Sequence, residues 1–385
     1  MATQPVAIEE LVLDPHPVWD RLRGNGPIAW VDALGGWVTL TRELAVEVMR
    51  DAVTFTVDDP RFSTAQVVGP SMLSLDGSEQ ARHRDAFSHG LRPTNIDVEH
   101  GPWMESAAVA LVDSLLPRRH AEVRSDLAGP WSVSVMARIL GLQIDPTAMD
   151  SVLGWYRSIV SGVEAVSAGQ RLPPRAVVAA NELGEAVGVA PFVDASSLTR
   201  EEVASNTAVF LFGGIETTEA TITSVLHHVL TESLLLDTLI DDPLQIENAV
   251  DESQRLEPAA TRVDRYTTHD VSLGGAGIRR GDLVMVSLAA AGRDPSVFED
   301  PHRFRLNRAN VRRHLAYATG PHACIGAHLA RREVVAIVSA LLRGTAGLRL
   351  DQTRSEAPSG LVFRKPQRLT VTWTGERPGT SCASP

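Results

Sequence analysis

The chain is organised around the stretch Ala316-Tyr317-Ala318-Thr319-Gly320-Pro321-His322-Ala323-Cys324-Ile325-Gly326. Gly320 and Pro321 fit poorly inside a regular helix, so this stretch is predicted to be a loop. From Ala327 the residues are good helix formers with an apolar stripe, and Gly344 is a typical end for such a helix. The sequence therefore predicts Cys324 where a loop becomes a helix, next to N-terminal N–H groups that favour a thiolate.

Three roles are open to Cys324 on its own. A buried structural thiol is the common role of a single cysteine. A catalytic nucleophile would use His322 or His328 as its base. The third role is a metal ligand. A zinc site would need about four ligands, and no second cysteine lies nearby. A single thiolate suits haem iron, because the porphyrin fills the four equatorial positions.

The spacing within this stretch resembles the haem-binding signature of the cytochrome P-450 family, an aromatic residue followed by Gly-x-Gly-x-His-x-Cys-x-Gly. The matching residues are Gly320, His322, Cys324 and Gly326. Tyr317 stands where phenylalanine is usual, and Ala318 replaces the first glycine. The resemblance implies that Cys324 is the metal ligand of haem b, and that His322 and Gly326 belong to the cofactor-binding loop.

Further stretches match the family in the same order, and the resemblance runs from about Asp14 to Trp373. Gln80 and Arg84 are four residues apart on a predicted helix, so they share a face. That face could simply be solvated, as exposed polar pairs often are. The resemblance implies instead that Gln80, Arg84 and Arg265 contact the haem propionates, for which guanidinium groups are well suited.

A long helix is predicted from Thr199, which opens a capping box, to about Leu230. Its Gly213-Gly214 pair is unfavourable inside an apolar helix and indicates either close helix packing or a distortion that admits a ligand. This part resembles the family's Ala-Gly-x-Asp/Glu-Thr motif. The resemblance implies that Gly214 leaves room for dioxygen, that Thr217 donates a hydrogen bond to it, and that Glu216 relays protons.

Glu252 and Arg255 are three residues apart on another predicted helix and can form an ion pair. Such a pair alone means little, because exposed pairs contribute well under about 1 kcal/mol. It resembles the family's buried Glu-x-x-Arg pair, which is locked to a later arginine. Arg303 fits that third position in the sequence, so all three residues are expected to brace the cysteine loop.

The resemblance implies a mainly α fold with small β-sheets, in which haem lies between a long distal helix and the helix after the cysteine loop. Alternating residues around 28–40 predict an early hairpin, and residues 360–363 and 369–372 predict a closing hairpin. One domain is expected over residues 1–374. Residues 375–385 are rich in Pro, Gly and Ser, which predicts a disordered tail.

Composition limits the compartment and the partners. The formal net charge of −11 argues against nucleic acid as a partner. No stretch has the pattern of a membrane span or a secretory signal. The only cysteines are Cys324 and Cys382, so a disulfide framework is not expected and a cytoplasmic location is.

The resemblance implies an oxidoreductase, a monooxygenase that uses dioxygen and electrons from NAD(P)H to hydroxylate a small molecule. Two alternatives remain. The same fold could catalyse desaturation, ring coupling or peroxide-driven oxidation. A haem-binding carrier or sensor would perform no oxygenation, and the intact Glu216–Thr217 pair argues against it.

A ferredoxin and a ferredoxin reductase are the expected redox partners. Basic residues flank the cysteine on the expected docking side, namely Arg312, Arg313, Arg331 and Arg332. An ordinary solvated basic patch is the alternative, since surface charge does not name a partner. Charge reversal at Arg331 and Arg332 is predicted to slow reduction by a ferredoxin.

The substrate is expected to be largely apolar, because the candidate pocket residues are apolar: Val67, Met72, Phe210, Val263 and Val362. Residues 63–75 and 169–197 are shorter than in many relatives. These short segments predict an open pocket, or one that a bulky or carrier-bound substrate completes.

Overall fold

The computed structural model describes residues 6–142, 146–187, 190 and 193–377. Its helices in chain order are α1 (Ile8–Leu13), α2 (His16–Arg23), α3 (Arg42–Arg50), α4 (Ser63–Val68), α5 (Gly77–Ser88), α6 (Pro93–Asn95), α7 (Gly101–Leu115), α8 (Gly129–Leu140), α9 (Pro146–Ser167), α10 (Pro174–Val187), α11 (Arg200–Thr231), α12 (Ser233–Asp241), α13 (Ile246–Leu256), α14 (Leu288–Gly292) and α15 (Ala327–Gly344). The mainly α prediction is confirmed. Cys382 and residues 378–385 lie outside the described part.

The strands are β1 (Ile28–Val31), β2 (Gly36–Thr39), β3 (Phe55–Thr56), β4 (His120–Glu122), β5 (Arg262–Thr267), β6 (Val271–Leu273), β7 (Ala276–Ile278), β8 (Leu283–Ser287), β9 (Thr345–Ala346), β10 (Arg349–Leu350), β11 (Pro358–Ser359), β12 (Lys365–Pro366), β13 (Thr370–Thr372) and β14 (Gly375–Glu376). A five-stranded sheet has the order β1-β2-β8-β5-β3, and a three-stranded sheet the order β10-β13-β4. The remaining strands pair two by two. The early hairpin is confirmed, with Ile28 opposite Thr39.

Two predictions near the C-terminus are wrong. The closing hairpin pairs β11 with β12, so residues 360–363 form its turn, while β13 pairs with β4 and β10 in another sheet. The tail was expected to begin at residue 375, but Gly375 and Glu376 form β14 and pair with β9. Both errors concern short strands: β13 pairs with the distant β4 and β14 with β9, and neither pairing carries a local signal in the sequence.

Helix α11 runs through the centre of the main core. Its N-terminus is the predicted capping box, in which the Thr199 hydroxyl accepts from the Glu202 N–H and the Glu202 carboxylate accepts from the Thr199 N–H. Most of its residues are buried on every side, as expected for a helix enclosed by others. It packs against α8, α9, α10, α13 and α15. No helix within the described residues is long and apolar enough to cross a membrane.

The two short segments do not leave this core uncovered. Residues 63–68 form α4, which packs on α9 and α10. Val67 and Met72 are buried, and the methyl group of Val67 lies against Gly162 of α9. Helices α4, α9 and α10 therefore pack together at these segments, while an open pocket, or one that a bulky or carrier-bound substrate completes, stays a prediction.

Candidate functional site: a cysteine loop beneath a long helix

The cysteine loop ends where helix α15 begins, as the sequence predicts. Gly326 caps the helix at Ala327, and the Cys324 N–H donates to the Tyr317 carbonyl at 2.9 Å. The Cys324 side chain is exposed, yet protein surrounds it closely enough for burial to raise the pKa of its thiol. The Gly326 N–H and Arg84 oppose this and lower that pKa. An exposed thiol at such depth borders an internal cavity.

Two backbone features hold the loop in shape. Gly320 has φ +77°, and a Cβ there would lie 2.3 Å from the Met49 carbonyl oxygen of α3. Glycine is therefore required at this position for both its conformation and its size. Ala318 has φ +55°, a left-handed conformation that costs an alanine about 1 to 2 kcal/mol. The residue that departs from the family signature is thus strained.

Helix α5 is fixed to the same loop by two side chains. The Gln80 amide donates to the Pro321 carbonyl at 3.0 Å, and Arg84 donates to the Ala323 carbonyl at 2.8 Å. Gln80 is buried, so the structure does not support a solvated face for this pair. The two residues predicted to contact a cofactor therefore lie beside Cys324.

His322 pairs with Asp76, a residue that the sequence analysis did not identify. The His322 Nε2 and the Asp76 Oδ1 are 2.7 Å apart. Burial raises the pKa of the Asp76 carboxyl, but hydrogen bonds from His322, Thr56 and Val57 outweigh it and lower this pKa to about 2. The only sequence signal for Asp76 is its place immediately before the predicted α5 helix.

Two arginines without carboxylate partners, the buried Arg265 and the half-buried Arg84, show whether haem fits here. Arg265 is only 3% exposed and donates to the Asp264 carbonyl at 2.8 Å. Burial lowers its pKa to about 10. In the part of the chain that the structure describes, neither Arg265 nor Arg84 forms an ion pair, and the buried Nδ1 of His322 has no hydrogen-bond partner. Unpaired buried charge is costly, so these residues fit the two propionates of haem b.

One stripe of helix α11 remains partly exposed within the core. It consists of Val209, Gly213 and Thr217, which are four residues apart and share a face. A Cβ at Gly213 would meet nothing within 4 Å. Thr218, next to this stripe, donates to the Glu333 carboxylate of α15 at 3.0 Å. Open space therefore exists at both the thiol and the α11 stripe, on elements that are packed together.

Gly214 lies on the side of α11 that packs against α8, not at this open space. A Cβ at this position would lie 2.3 Å from the Met136 sulfur of α8. Close helix packing therefore accounts for Gly214, and the open space lies at Gly213. Helix α11 is continuous through both glycines, with the Thr217 hydroxyl donating to the Gly213 carbonyl at 2.5 Å. A role for Gly214 toward dioxygen stays a prediction.

Glu216 is buried on the neighbouring face of α11. Its carboxylate accepts hydrogen bonds from Tyr156 of α9 and from Lys365 of β12, the latter at 2.5 Å. The sequence analysis identified neither partner. Lys365 did carry one signal, because it is the only lysine in the sequence.

The predicted ion-pair network is present, but its third member is different. Glu252 accepts from Arg255 at 2.8 Å and from Arg308 at 3.0 Å. The prediction of Arg303 is wrong, since its side chain is exposed and only its carbonyl accepts from Arg255. Several arginines follow one another in this segment, and their spacing alone does not identify the one that turns inward.

Comparison with known proteins gives a consistent result. The family model "Cytochrome P-450" matches residues 244–355. The cytochrome P-450 monooxygenase PikC of Streptomyces venezuelae is 29% identical over 95% of this chain and 92% of its own length. Nocardicin C N-oxygenase of Nocardia uniformis is 28% identical, covering 95% and 97%. The structure of P450BioI with an acyl carrier protein that carries hexadec-9Z-enoic acid superposes with a TM-score of 0.84 at 25% identity, over 95% of this chain and 100% of that one.

Proposed function

The chain belongs to the cytochrome P-450 family of haem-dependent oxygenases, and from this premise we propose that it hydroxylates a largely apolar small molecule. The observation that carries the proposal is the exposed Cys324 thiol in the interior, with Arg84 and Arg265 on neighbouring elements. Among the described residues, neither guanidinium group has a carboxylate partner. Together they provide one soft ligand and two cations for a single dianionic cofactor.

The residues divide the work between holding the cofactor and controlling protons. Cys324 ligates the haem iron, and Arg84 and Arg265 bind its propionates. When bound, the haem supplies reductive dioxygen activation: one oxygen atom enters the substrate and the other leaves as water, using two electrons and two protons. Thr217 offers a hydroxyl at the open stripe of α11. Glu216 is the nearby acid that holds and releases a proton.

Carbon monoxide binding to the dithionite-reduced protein tests this assignment. We expect a strongly red-shifted Soret band in the wild type, because thiolate ligation donates electron density to the iron. Cys324→Ser should lose that band, since an alcohol is a poor ligand. His328→Ala is the matched control: it lies in the same segment, pairs with Asp97 rather than with the site, and should retain the band. A histidine-type spectrum in the wild type would contradict the assignment.

Electrons come from NAD(P)H through a ferredoxin and its reductase, which the basic surface near the loop supports. Arg331 and Arg332 are poor test positions, because they pair with Asp251 at 2.6 Å and with Asp97 at 3.1 Å. Arg50 and Arg313 are exposed, and Arg50 adjoins Gly320 in the loop.

The partner proposal predicts that Arg50→Glu and Arg313→Glu each slow haem reduction by a ferredoxin. Opposite charges steer encounter, so the loss should shrink as salt is added. Arg200→Glu, at the exposed start of α11, is the control and should leave the rate unchanged. Stopped-flow reduction across a salt series measures this, and equal rates for all variants would exclude a docking role.

The proposed apolar substrate is supported by Val263 and Val362, two apolar side chains that are only partly buried. The P450BioI structure is a complex with an acyl carrier protein that carries a fatty acid. Nocardicin C N-oxygenase is named for an oxidation at nitrogen. A carrier-bound apolar substrate is therefore the second candidate. A cytoplasmic location and a single domain over residues 1–374 stay predictions.

A further inference from the structure

Glu216 is tied to the only lysine of the chain. All the other basic residues among the 36 Lys and Arg are arginines, so the composition of the protein does not explain a lysine at position 365. Lys365 lies in β12 of the closing hairpin and is only 4% exposed. Buried charged side chains occur almost only where they are paired, which directs attention to what this ammonium group holds.

Lys365 bridges two carboxylates of the central helix. Its Nζ donates to Glu216 at 2.5 Å and to Glu219 at 2.8 Å. These acids are three residues apart on α11 and share a face. A compact ammonium with three donors can serve both, whereas the planar arginine fork is shaped for bidentate binding to one carboxylate. Tyr156 of α9 donates to the second oxygen of Glu216.

The charges of Lys365 and its partners shift the pKa values of the neighbouring side chains. Burial raises the pKa of Glu219, but Lys365 and Arg124 outweigh burial and hold this pKa below its usual range. Burial and the charge of Glu216 raise the pKa of Tyr156, so the phenol keeps its proton and acts as a donor. Burial raises the pKa of Glu164 on α9 in the same way, and Glu216 adds to it.

The orientation of Glu216 has a consequence for proton transfer. Thr217 lies on the open stripe of α11, but the adjacent Glu216 is turned toward α9 and the hairpin by Tyr156 and Lys365. A carboxylate held in this way reaches the cavity only through a change in its contacts or through a bridging water.

We infer that Lys365 is a positioning residue for proton delivery: its ammonium group holds Glu216 and sets how readily a proton passes to the Thr217 side of α11. The Glu216 carboxylate takes up one proton from solvent and passes it to the Thr217 side, which regenerates the carboxylate. This inference rests on the proposed oxygenase function and names a residue that controls it from outside the cavity.

The test compares Lys365→Met with Arg364→Met in the holoenzyme. Methionine keeps much of the length of lysine but lacks its charge. Arg364 is the adjacent buried cation on the same hairpin, and it pairs with Glu257 at 2.6 Å rather than with Glu216. Lys365→Gln, which is neutral and polar, serves as a second variant if Lys365→Met does not fold.

The first readout is oxygen consumption driven by NADPH through a surrogate ferredoxin and its reductase, without substrate. Positioned proton transfer contributes about 10²- to 10⁴-fold, so we expect water formation in Lys365→Met to fall at least about tenfold. Hydrogen peroxide released per dioxygen should rise, and so should the solvent isotope effect. Arg364→Met should match the wild type in water formation and in hydrogen peroxide released per dioxygen.

The second readout does not depend on activity. Removing the ammonium leaves two buried carboxylates with less compensation, so Lys365→Met should show a protonated-carboxyl infrared band at neutral pH. Burial raises the pKa of Glu333 well above its ordinary value, so that carboxyl already contributes such a band in every variant. The band should be stronger in Lys365→Met than in the wild type and in Arg364→Met, and it should weaken in Lys365→Met combined with Glu216→Gln. An infrared spectrum and peroxide yield like those of Arg364→Met would overturn the inference. A wild type without oxygen consumption would refute the proposed function, while the infrared spectra would still show whether Lys365 governs the acid.

Discussion

Replacing Glu252 by alanine is expected to destabilise the protein by about 3 to 5 kcal/mol, because it removes the carboxylate from a buried ion-pair network. Glu252 and Arg255 are both 0% exposed, and Arg308 is 7% exposed. The variant leaves two buried guanidinium groups that retain only carbonyl acceptors, among them Gly292 at 2.8 Å. A loss of this size is a large part of the total stability of a typical domain.

Glu299→Ala is the matched control for that change. Glu299 lies in the same segment and pairs with Arg305 at 3.3 Å, but its side chain is 84% exposed. Exposed pairs contribute about 0 to 1 kcal/mol, so this variant should unfold almost like the wild type. Urea unfolding of both variants measures the difference. Equal midpoints would mean that the network contributes no net stability.

Gly320→Ala is expected to cost about 2 to 5 kcal/mol and to disturb the cysteine loop. The left-handed conformation accounts for about 1 to 2 kcal/mol, and the overlap of the new methyl group with its neighbours for about 1 to 3 more. The nearest atom is the Met49 carbonyl oxygen at 2.3 Å. Because this is backbone, relief requires helix α3 or the loop to move.

Ala318→Gly provides a contrast of opposite sign in the same loop. Glycine relieves the left-handed strain at φ +55°, while it adds about 0.4 to 1 kcal/mol of freedom to the unfolded chain. A net stabilisation of about 0 to 1.6 kcal/mol is expected. Thermal unfolding measures the stability of both variants. The carbon monoxide spectrum of the reduced protein reports the geometry of the cysteine loop. A more stable Gly320→Ala, or an unstable Ala318→Gly, would contradict the reason given for the strain.

The outcomes at the C-terminal strands separate local signals from tertiary ones. Residues 369–372 were predicted as a strand and β13 is one, but the partner was wrong. Alternation along a strand depends on its own residues, whereas pairing depends on which distant strand covers its edge. Arg303 and Arg308 give a second example, because both are arginines at a similar distance from Glu252 along the chain. Tertiary packing decides that Arg308 pairs with Glu252.

The sequence alone determined the elements whose signals are local. Gly320, Pro321 and the helix formers that follow placed Cys324 at a loop–helix junction, and Thr199 with Glu202 placed the start of α11. These patterns act through hydrogen bonds and conformations within a few residues, so they can be recognised without the rest of the chain.

Only the tertiary structure decided where the charges of the site face. Lys365 and Glu216 are 149 residues apart, and they meet because the closing hairpin lies against α11. The same packing turned Gly214 toward Met136 and left the open space at Gly213. Contacts of this kind depend on which surfaces remain when the core is filled, and no spacing along the chain encodes them.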